Sequence, residues 1–242
     1  MMSEPKIAKG KLILIPTTLG DFETSTKVLP QYNIEVIYGL REFVVEQLRT
    51  ARRFLSFLNH PIPIDQLVFH ELNKHTKSAE VSTYLNSLKS GGSIGLLSEA
   101  GTPCVADPGA KVVAMAQESG YQVVSLIGPN SILLALMASG FNGQHFVFHG
   151  YLPIDKAALQ KKIKEMENQV YKSDQTQIFI ETPYRNNPMF DLIVSTCQPS
   201  TKMCVATNLT LDTEQVVTKS IQGWKKEKPE LHKKPTVFLL YK

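Results

Sequence analysis

Only three cysteines occur in 242 residues, Cys104, Cys197 and Cys204, with no Cys-x-x-Cys pair and no Cys/His spacing of the zinc-binding kind. This scarcity excludes a disulfide framework and a zinc site legible from spacing, and no metal is expected. It fits a reducing compartment, so the cytoplasm is the expected location. Long apolar runs are missing too. The short apolar stretch at residues 12–15 is stopped by Pro16, too early for a signal-peptide core. The longest run free of Asp, Glu, Lys and Arg, residues 119–154, is punctuated by Gly128, Pro129, Asn130 and Gly140. No membrane contact is expected from it, and its lack of charge points to burial in the middle of the molecule. There is neither a Walker A loop nor a Gly-x-Gly-x-x-Gly fingerprint, so ATP hydrolysis and the usual NAD site lack support.

What is present is a globular composition, 43% hydrophobic and 20% charged, at a length that suits one large or two medium domains. The formal charge of +4 permits an anionic partner such as RNA without requiring one. Short β-type runs at residues 12–15, 35–38, 67–70, 93–97 and 122–127 predict strands of a parallel sheet. Helical spacing of Phe43, Val44, Leu48, Ala51, Leu55 and Leu58 predicts a helix over residues 42–58, with Arg49, Arg52 and Arg53 on another face, either a solvated surface or a phosphate contact. A second helix is expected at 108–119, with Asp107 as N-cap and Gly120 as the stop, and a third at 131–139 after Gly-Pro-Asn.

The second half changes character. Strands are expected at 146–151, 176–181, 202–206, 214–218 and 236–241, and helices at 155–170 and 184–197. Two late strands with no helix between them predict a mixed sheet. The fold class is therefore α/β with two domains: an N-terminal, mostly parallel sheet with helices on both faces at 1–127, and a C-terminal mixed sheet at 128–242.

Three loops follow strands of the first domain: Pro16-Thr17-Thr18-Leu19-Gly20-Asp21, Ser98-Glu99-Ala100-Gly101-Thr102-Pro103 and Gly128-Pro129-Asn130-Ser131. In open α/β sheets ligands bind beyond the carboxyl ends of strands, and small residues let backbone N–H groups approach them. The run from Leu97 through Ser98-Glu99-Ala100-Gly101-Thr102-Pro103-Cys104-Val105-Ala106-Asp107-Pro108-Gly109, then Ile127-Gly128-Pro129-Asn130-Ser131 and Ala138-Ser139-Gly140, resembles the tetrapyrrole methylase superfamily. Within it, the branch that contains the bacterial 16S rRNA (cytidine 2′-O) methyltransferases is the most similar. The resemblance continues through Phe148-His149-Gly150-Tyr151-Leu152-Pro153 and Phe179-Ile180-Glu181-Thr182-Pro183-Tyr184-Arg185, and so covers nearly the whole chain.

The resemblance implies S-adenosylmethionine bound in a cleft between two α/β domains, a homodimer, and methyl transfer to ribosomal RNA, free or in a small-subunit particle. It implies cofactor contacts from Pro16, Thr17, Leu19, Gly20, Ser98, Glu99, Ala100, Gly101, Asp107, Gly128, Pro129, Asn130 and Ser131. Residues matching the ribosomal branch include Glu46, Arg49 and Asn73 and, as catalytic candidates, His70, Glu71, Glu181 and Arg185. His70 and Glu71 would accept or position a proton, or His70 is a satisfied histidine at a strand end. Arg185 would meet phosphate or substrate, or only pair with Glu181.

Departures from the branch concern Glu99, where Asp is usual, Thr18 in place of Pro, Gln47 in place of an acid, and Thr207-Asn208-Leu209-Thr210-Leu211, where an Arg-Glu-Leu-Thr-Lys pattern is usual. A methylase of a tetrapyrrole or other small molecule, or a non-catalytic cofactor-binding module, are the alternatives these departures leave open.

Overall fold

The computed structural model describes residues 10–73 and 76–242 and divides into two compact units that meet in sequence at Pro129 and Asn130. The first unit holds strands β1 (Lys11–Ile15), β2 (Glu42–Val45), β3 (Val68–Glu71), β4 (Ile94–Leu97) and β5 (Gln122–Ser125). Between them lie helices α1 (Ser25–Val28), α2 (Gln31–Tyr38), α3 (Leu48–Phe57), α4 (Ser78–Tyr84), α5 (Asn86–Lys89) and α6 (Ala110–Glu118). The strands form one sheet in the order β3-β2-β4-β1-β5, with every pairing parallel.

Alternation along β1 explains how both faces are covered. Ile13 and Ile15 pack with Leu29, Ile37, Phe54 and Leu55 of the β1–β2 and β2–β3 connections. Leu12 and Leu14 face Val81, Tyr84, Leu88, Val112 and Ala116 of the later helices. Burial of both faces is what makes these strands read as continuous apolar runs rather than alternating ones.

Two expected elements are corrected. Residues 35–38 are not a strand; they end α2, whose Asn33 donates from Nδ2 to the Ile127 carbonyl at 2.7 Å. The expected helix at 42–58 is instead β2 followed by α3, since Phe43, Val44 and Val45 are all buried within the sheet. Asp107 is not the N-cap of α6, which starts after Gly109; its carboxylate closes the preceding loop by accepting from the N–H groups of Cys104 at 2.8 Å and Gly109 at 2.7 Å. The charge-free stretch is only partly interior: Ile127, Leu133, Met137, Tyr151 and Ile154 are exposed.

The second unit opens with α7 (Ser131–Ser139), capped by Asn130, whose Oδ1 accepts from Leu133 N–H at 3.0 Å. It contains β6 (Phe146–Tyr151), α8 (Lys156–Ser173), β7 (Thr176–Ile180), α9 (Asn186–Thr196), β8 (Lys202–Thr207), β9 (Gln215–Ser220), α10 (Ile221–Trp224) and β10 (Thr236–Tyr241). The sheet order is β6-β7-β10-β8-β9, parallel only at β6–β7 and antiparallel elsewhere. Phe179, Met203, Val205, Phe238 and Leu240 meet α8, α9 and α10 on one face. On the other face α7 lies against β8, β9 and β10, and Thr218 donates its hydroxyl proton to the Ser139 carbonyl at 2.9 Å. Among the described residues no helix is long and apolar enough to cross a membrane.

Candidate active site

In the first sheet β1 and β4 are neighbours, but the chain leaves β1 toward β2 and leaves β4 toward β5 on the opposite side. Each connection passes the neighbouring strand, on opposite faces of the sheet, and loops that leave adjacent strands for opposite faces open a crevice at their carboxyl ends, the usual ligand position of open α/β sheets. The loops found there are the first two singled out in the sequence, and they are fastened to each other. Thr17 N–H donates to the Gly101 carbonyl at 3.0 Å, and Gly101 N–H donates to the Thr18 carbonyl at 3.3 Å. The Thr17 hydroxyl donates to the Ser98 carbonyl at 3.2 Å, while within the second loop the Ser98 hydroxyl donates to the Gly101 carbonyl.

The third loop closes on the same place. Gly101 adopts φ +70°, and a Cβ there would stand 2.9 Å from Leu19 Cδ2 and 3.0 Å from the Pro129 carbonyl oxygen. A Cβ on Gly128 would stand 2.3 Å from Pro16 Cγ. Glycine is therefore required at both positions by the approach of the three loops. Cys104 and Ala106 also take positive φ, 67° and 63°, in the loop before α6. Left-handed backbone in residues with a Cβ is strain that clusters at functional loops.

Of the expected cofactor contacts, Pro16, Thr17, Ser98, Gly101 and Pro129 are buried, and the hydroxyls of Thr17 and Ser98 are spent on the loops themselves. Leu19, Gly20, Glu99 and Gly128 are half-buried and Ala100 exposed, so these line the accessible side. Asn130 and Ser131 open α7 in the second unit.

The structure adds a residue placed wrongly by sequence. Glu46 lies beyond the end of β2 and lines a small cavity with Leu97, Asp107, Pro108 and Gly109. Burial, then the nearby charges of Glu99 and Asp107, push its carboxyl pKa up. Glu99 is raised as well, chiefly by burial, although its carboxylate accepts from Gln47 N–H at 3.2 Å. The signal was available: an acid just after a buried apolar run sits at a strand end, once that run is read as a strand.

The catalytic candidates fall in two pairs. His70 is in β3, where its Nε2 lies 2.7 Å from Glu42 Oε1 and its ring stacks on Tyr84 at 4.7 Å. Glu71 is exposed at the carboxyl end of the same strand, and its carbonyl accepts from the Tyr84 hydroxyl at 2.8 Å. In the second unit Glu181 is buried just after β7, accepts from Thr182 N–H at 2.7 Å and pairs with the half-buried Arg185 at 3.1 Å. On α3, Arg52 lies over the Phe69 ring and Arg53 over the Phe22 ring, at 5.6 and 5.9 Å, while Arg49 is exposed.

No family model matches the chain. Curated relatives do. It is 33% identical over 174 residues to the ribosomal RNA small subunit methyltransferase I of Vibrio cholerae, covering 72% of this chain and 56% of that protein. It is 32% identical over 176 residues to the protein of the same name from Bacillus subtilis, covering 73% and 56%. To that of Escherichia coli O157:H7 it is 29% identical over 209 residues, covering 86% and 68%. The chain thus spans little more than half the length of the first two relatives.

Among solved structures, the methyltransferase CobJ superposes with a TM-score of 0.62 at 14% identity, covering 97% of this chain and 94% of its own. Uroporphyrin III C-methyl transferase from Thermus thermophilus gives 0.54 at 14%, covering 96% and 98%. At these identities the superpositions establish the fold alone. The chain is a relative of the small-subunit ribosomal RNA methyltransferases I, built on the two-unit α/β fold of the tetrapyrrole methylases.

Proposed function

We propose that the protein is an S-adenosylmethionine-dependent methyltransferase that modifies a ribose 2′-hydroxyl of small-subunit ribosomal RNA. The observation that carries this reading is the three-loop junction at the β1–β4 divergence, together with relatives named as rRNA methyltransferases.

The residues present fit the cofactor. Gly101 and Gly128 stand where a Cβ would force the loops apart, Ala100 and Gly20 leave backbone accessible, and Glu99 offers a carboxylate for ribose hydroxyls. Leu19 and Gly128 complete the accessible set of the first unit, with Pro16, Thr17, Ser98, Gly101, Asp107 and Pro129 holding the loops in shape, and Asn130 and Ser131 follow in the chain at the start of α7. The bound cofactor supplies an activated methyl group for in-line displacement, a reaction accelerated chiefly by holding the acceptor oxygen in place.

A ribose hydroxyl also needs its proton accepted. Glu71 takes that role from the carboxyl end of β3, with His70, clamped by Glu42 and Tyr84, fixing the strand end. Arg185, oriented by buried Glu181, meets a backbone phosphate, a task suited to a guanidinium. Arg49, Arg52 and Arg53 supply further cations; among the described residues none of them has a carboxylate within ion-pair distance.

The protein acts in the cytoplasm as a homodimer. Leu133 and Met137, one turn apart on α7, Tyr151 at the end of β6 and Ile154 beyond it are exposed apolar groups suited to a self-interface. Sedimentation at micromolar concentration is expected to show twice the 27.0 kDa chain mass.

A second reading, a cofactor-binding module without turnover, is favoured by the β8–β9 loop. There Asn208 and Thr210 have positive φ, 51° and 71°, and the charged groups usual in the ribosomal branch are missing. Two measurements decide. Calorimetry with S-adenosylmethionine and its demethylated product is expected to show binding, and no binding at millimolar concentration overturns both readings. Mass spectrometry of rRNA nucleosides from cells with and without the gene is expected to show one lost ribose methylation; an unchanged profile leaves the module, or a small-molecule methylase.

A further inference from the structure

The second unit carries an exposed aromatic pair on a braced turn. Tyr184, 69% exposed, meets the ring of exposed His232 edge-on, with centroids 5.8 Å apart and planes at 74°. Neither ring is placed by a loose loop. Lys233 N–H donates to the Pro183 carbonyl at 3.1 Å, Leu231 N–H to Asn187 Oδ1 at 3.1 Å, and Asn186 Nδ2 to the Lys234 carbonyl at 2.7 Å. Glu230 accepts from His232 N–H at 2.6 Å and from Asn187 Nδ2 at 3.2 Å, and Leu231 anchors the segment in the core at 1% exposure. The 182–187 turn and the 230–234 segment are thus one rigid piece, and it holds Tyr184 out in water.

Its electrostatics are one-sided. Residues 225–234 contain five lysines and two glutamates. Lys228 pairs with Asp191, and Glu227 is taken up by Lys219. Lys225, Lys226, Lys233 and Lys234 have no carboxylate within ion-pair distance among the described residues. The His232 N–H and then the Asn187 amide, with a smaller contribution from the charge of Lys234, lower the pKa of Glu230, the remaining acid. A fixed aromatic face with Lys233 and Lys234 following it directly in the braced segment matches a single strand of nucleic acid, whose bases stack while its phosphates meet lysine. A duplex offers no free base face to such a platform.

We propose that Tyr184 and His232 form a stacking platform for a single-stranded RNA segment flanking the methylated nucleotide, with Lys233 and Lys234 on its phosphates. This rests on the rRNA reading above. The full chain is titrated by fluorescence anisotropy with a fluorescein-labelled single-stranded RNA of about twelve nucleotides, a length within the ~4–16 nucleotide sites of single-strand binders, and with the same RNA annealed to its complement.

Tyr184→Ala is expected to weaken single-strand binding roughly five- to a hundredfold, the range of one lost base stack, and Tyr184→Phe to restore it. Lys233→Asn keeps a residue tolerant of the left-handed φ of 59° while removing the charge. Combined with Lys234→Gln, it is expected to reduce the log–log salt slope by about 1.4. Should Tyr184→Ala fail to fold, judged by thermal unfolding, this lysine pair carries the test. Equal single-strand affinity of wild type and variants, preference for the duplex, or no RNA binding overturns the platform. Parallel methylation of small-subunit particles separates the two claims. Methylation with a KM unmoved by Tyr184→Ala sinks the platform and leaves the activity, whereas Tyr184-dependent binding with no methylation sinks the activity and leaves the platform.

Discussion

The loops at the carboxyl ends of the two sheets are built on opposite plans. In the first unit they close on one another: the Thr17 and Ser98 hydroxyls turn inward, Gly101 and Gly128 remove every spare atom, and Asp107 spends its carboxylate on two loop N–H groups. In the second unit the corresponding segments turn outward, with Arg185 half-buried, Tyr184 and His232 in solvent, and Asn208 and Thr210 at positive φ. The first plan suits a small ligand whose shape never changes. The second suits a surface read by a larger partner. The division implies that damage to the three-loop junction strikes cofactor affinity, while damage to the outward segments of the second unit strikes the acceptor.

The largest expected effect is on turnover. Glu71→Gln is expected to lower kcat by roughly 100-fold or more, the usual contribution of a proton acceptor, with cofactor affinity unchanged by calorimetry. If Glu71→Gln is harmless while Glu181→Gln abolishes methyl transfer, the proton chemistry belongs to the second unit and the division of labour is reversed. Next comes Gly128→Val, which drives a side chain into Pro16. It is expected to cost about 3 kcal/mol in thermal unfolding and to abolish cofactor binding. Its control is Gly140→Ala, at φ +76° but with nothing within 4 Å, where only the backbone penalty of about 1–2 kcal/mol and normal cofactor affinity are expected. Equal losses from the two would mean that the close approach of the loops is unimportant.

Asp107→Ala is expected to cost about 1–3 kcal/mol by leaving the Cys104 and Gly109 N–H groups unsatisfied, and to weaken cofactor binding with it. The smallest effect is on pH dependence. Burial raises the Glu99 pKa in the folded protein above its ordinary value of 4.5, so the folded state holds this proton more tightly than the unfolded chain does. Stability from this group therefore falls as pH rises from about 4.5 through the folded pKa, and the penalty is complete above it. Glu99→Gln, which keeps an oxygen for Gln47 N–H, is expected to raise the melting temperature slightly near neutral pH, with the gain vanishing below pH ~4.5. A gain that persists in acid would assign the effect to packing rather than to charge.

Much of this architecture is legible in the sequence. Strands Phe146–Tyr151 and Thr236–Tyr241 and helix Ser131–Ser139 lie where hydrophobic pattern and turn residues put them, because each is bounded by Gly, Pro, Asn or a break in apolar spacing. Two of the failures form a single slip. Residues 35–38, Glu-Val-Ile-Tyr, look like a strand because Val, Ile and Tyr favour one, but a run of four residues is too short to carry a period. The true strand, Glu42–Val45, was absorbed into the following helix because no glycine or proline separates them. That slip also hid Glu46, which moved from a helix face to a strand end. The three loops were legible from their small residues, whereas the inward turn of the Thr17 and Ser98 hydroxyls was not, since composition does not say which way a buried hydroxyl points. The platform at Tyr184 was invisible for the same kind of reason: it joins residues nearly fifty positions apart, and no local pattern reports that pairing.

The fastening of Thr17 to Ser98 crosses 81 positions of sequence. Each loop has one internal bond, from the Thr18 hydroxyl to the Gly20 carbonyl at 2.9 Å and from the Ser98 hydroxyl to the Gly101 carbonyl, but the junction between them has no local precursor. During synthesis the first loop emerges with its partner still unmade, and it gains its final form only when β4 lies down beside β1. Closing so long a stretch of chain is an entropic barrier that later contacts must repay. A growing chain that stops short of Ser98 has much of its first hydrophobic face and none of its junction. Competence to bind the cofactor should therefore arrive abruptly with sheet closure rather than accumulate as the first unit folds.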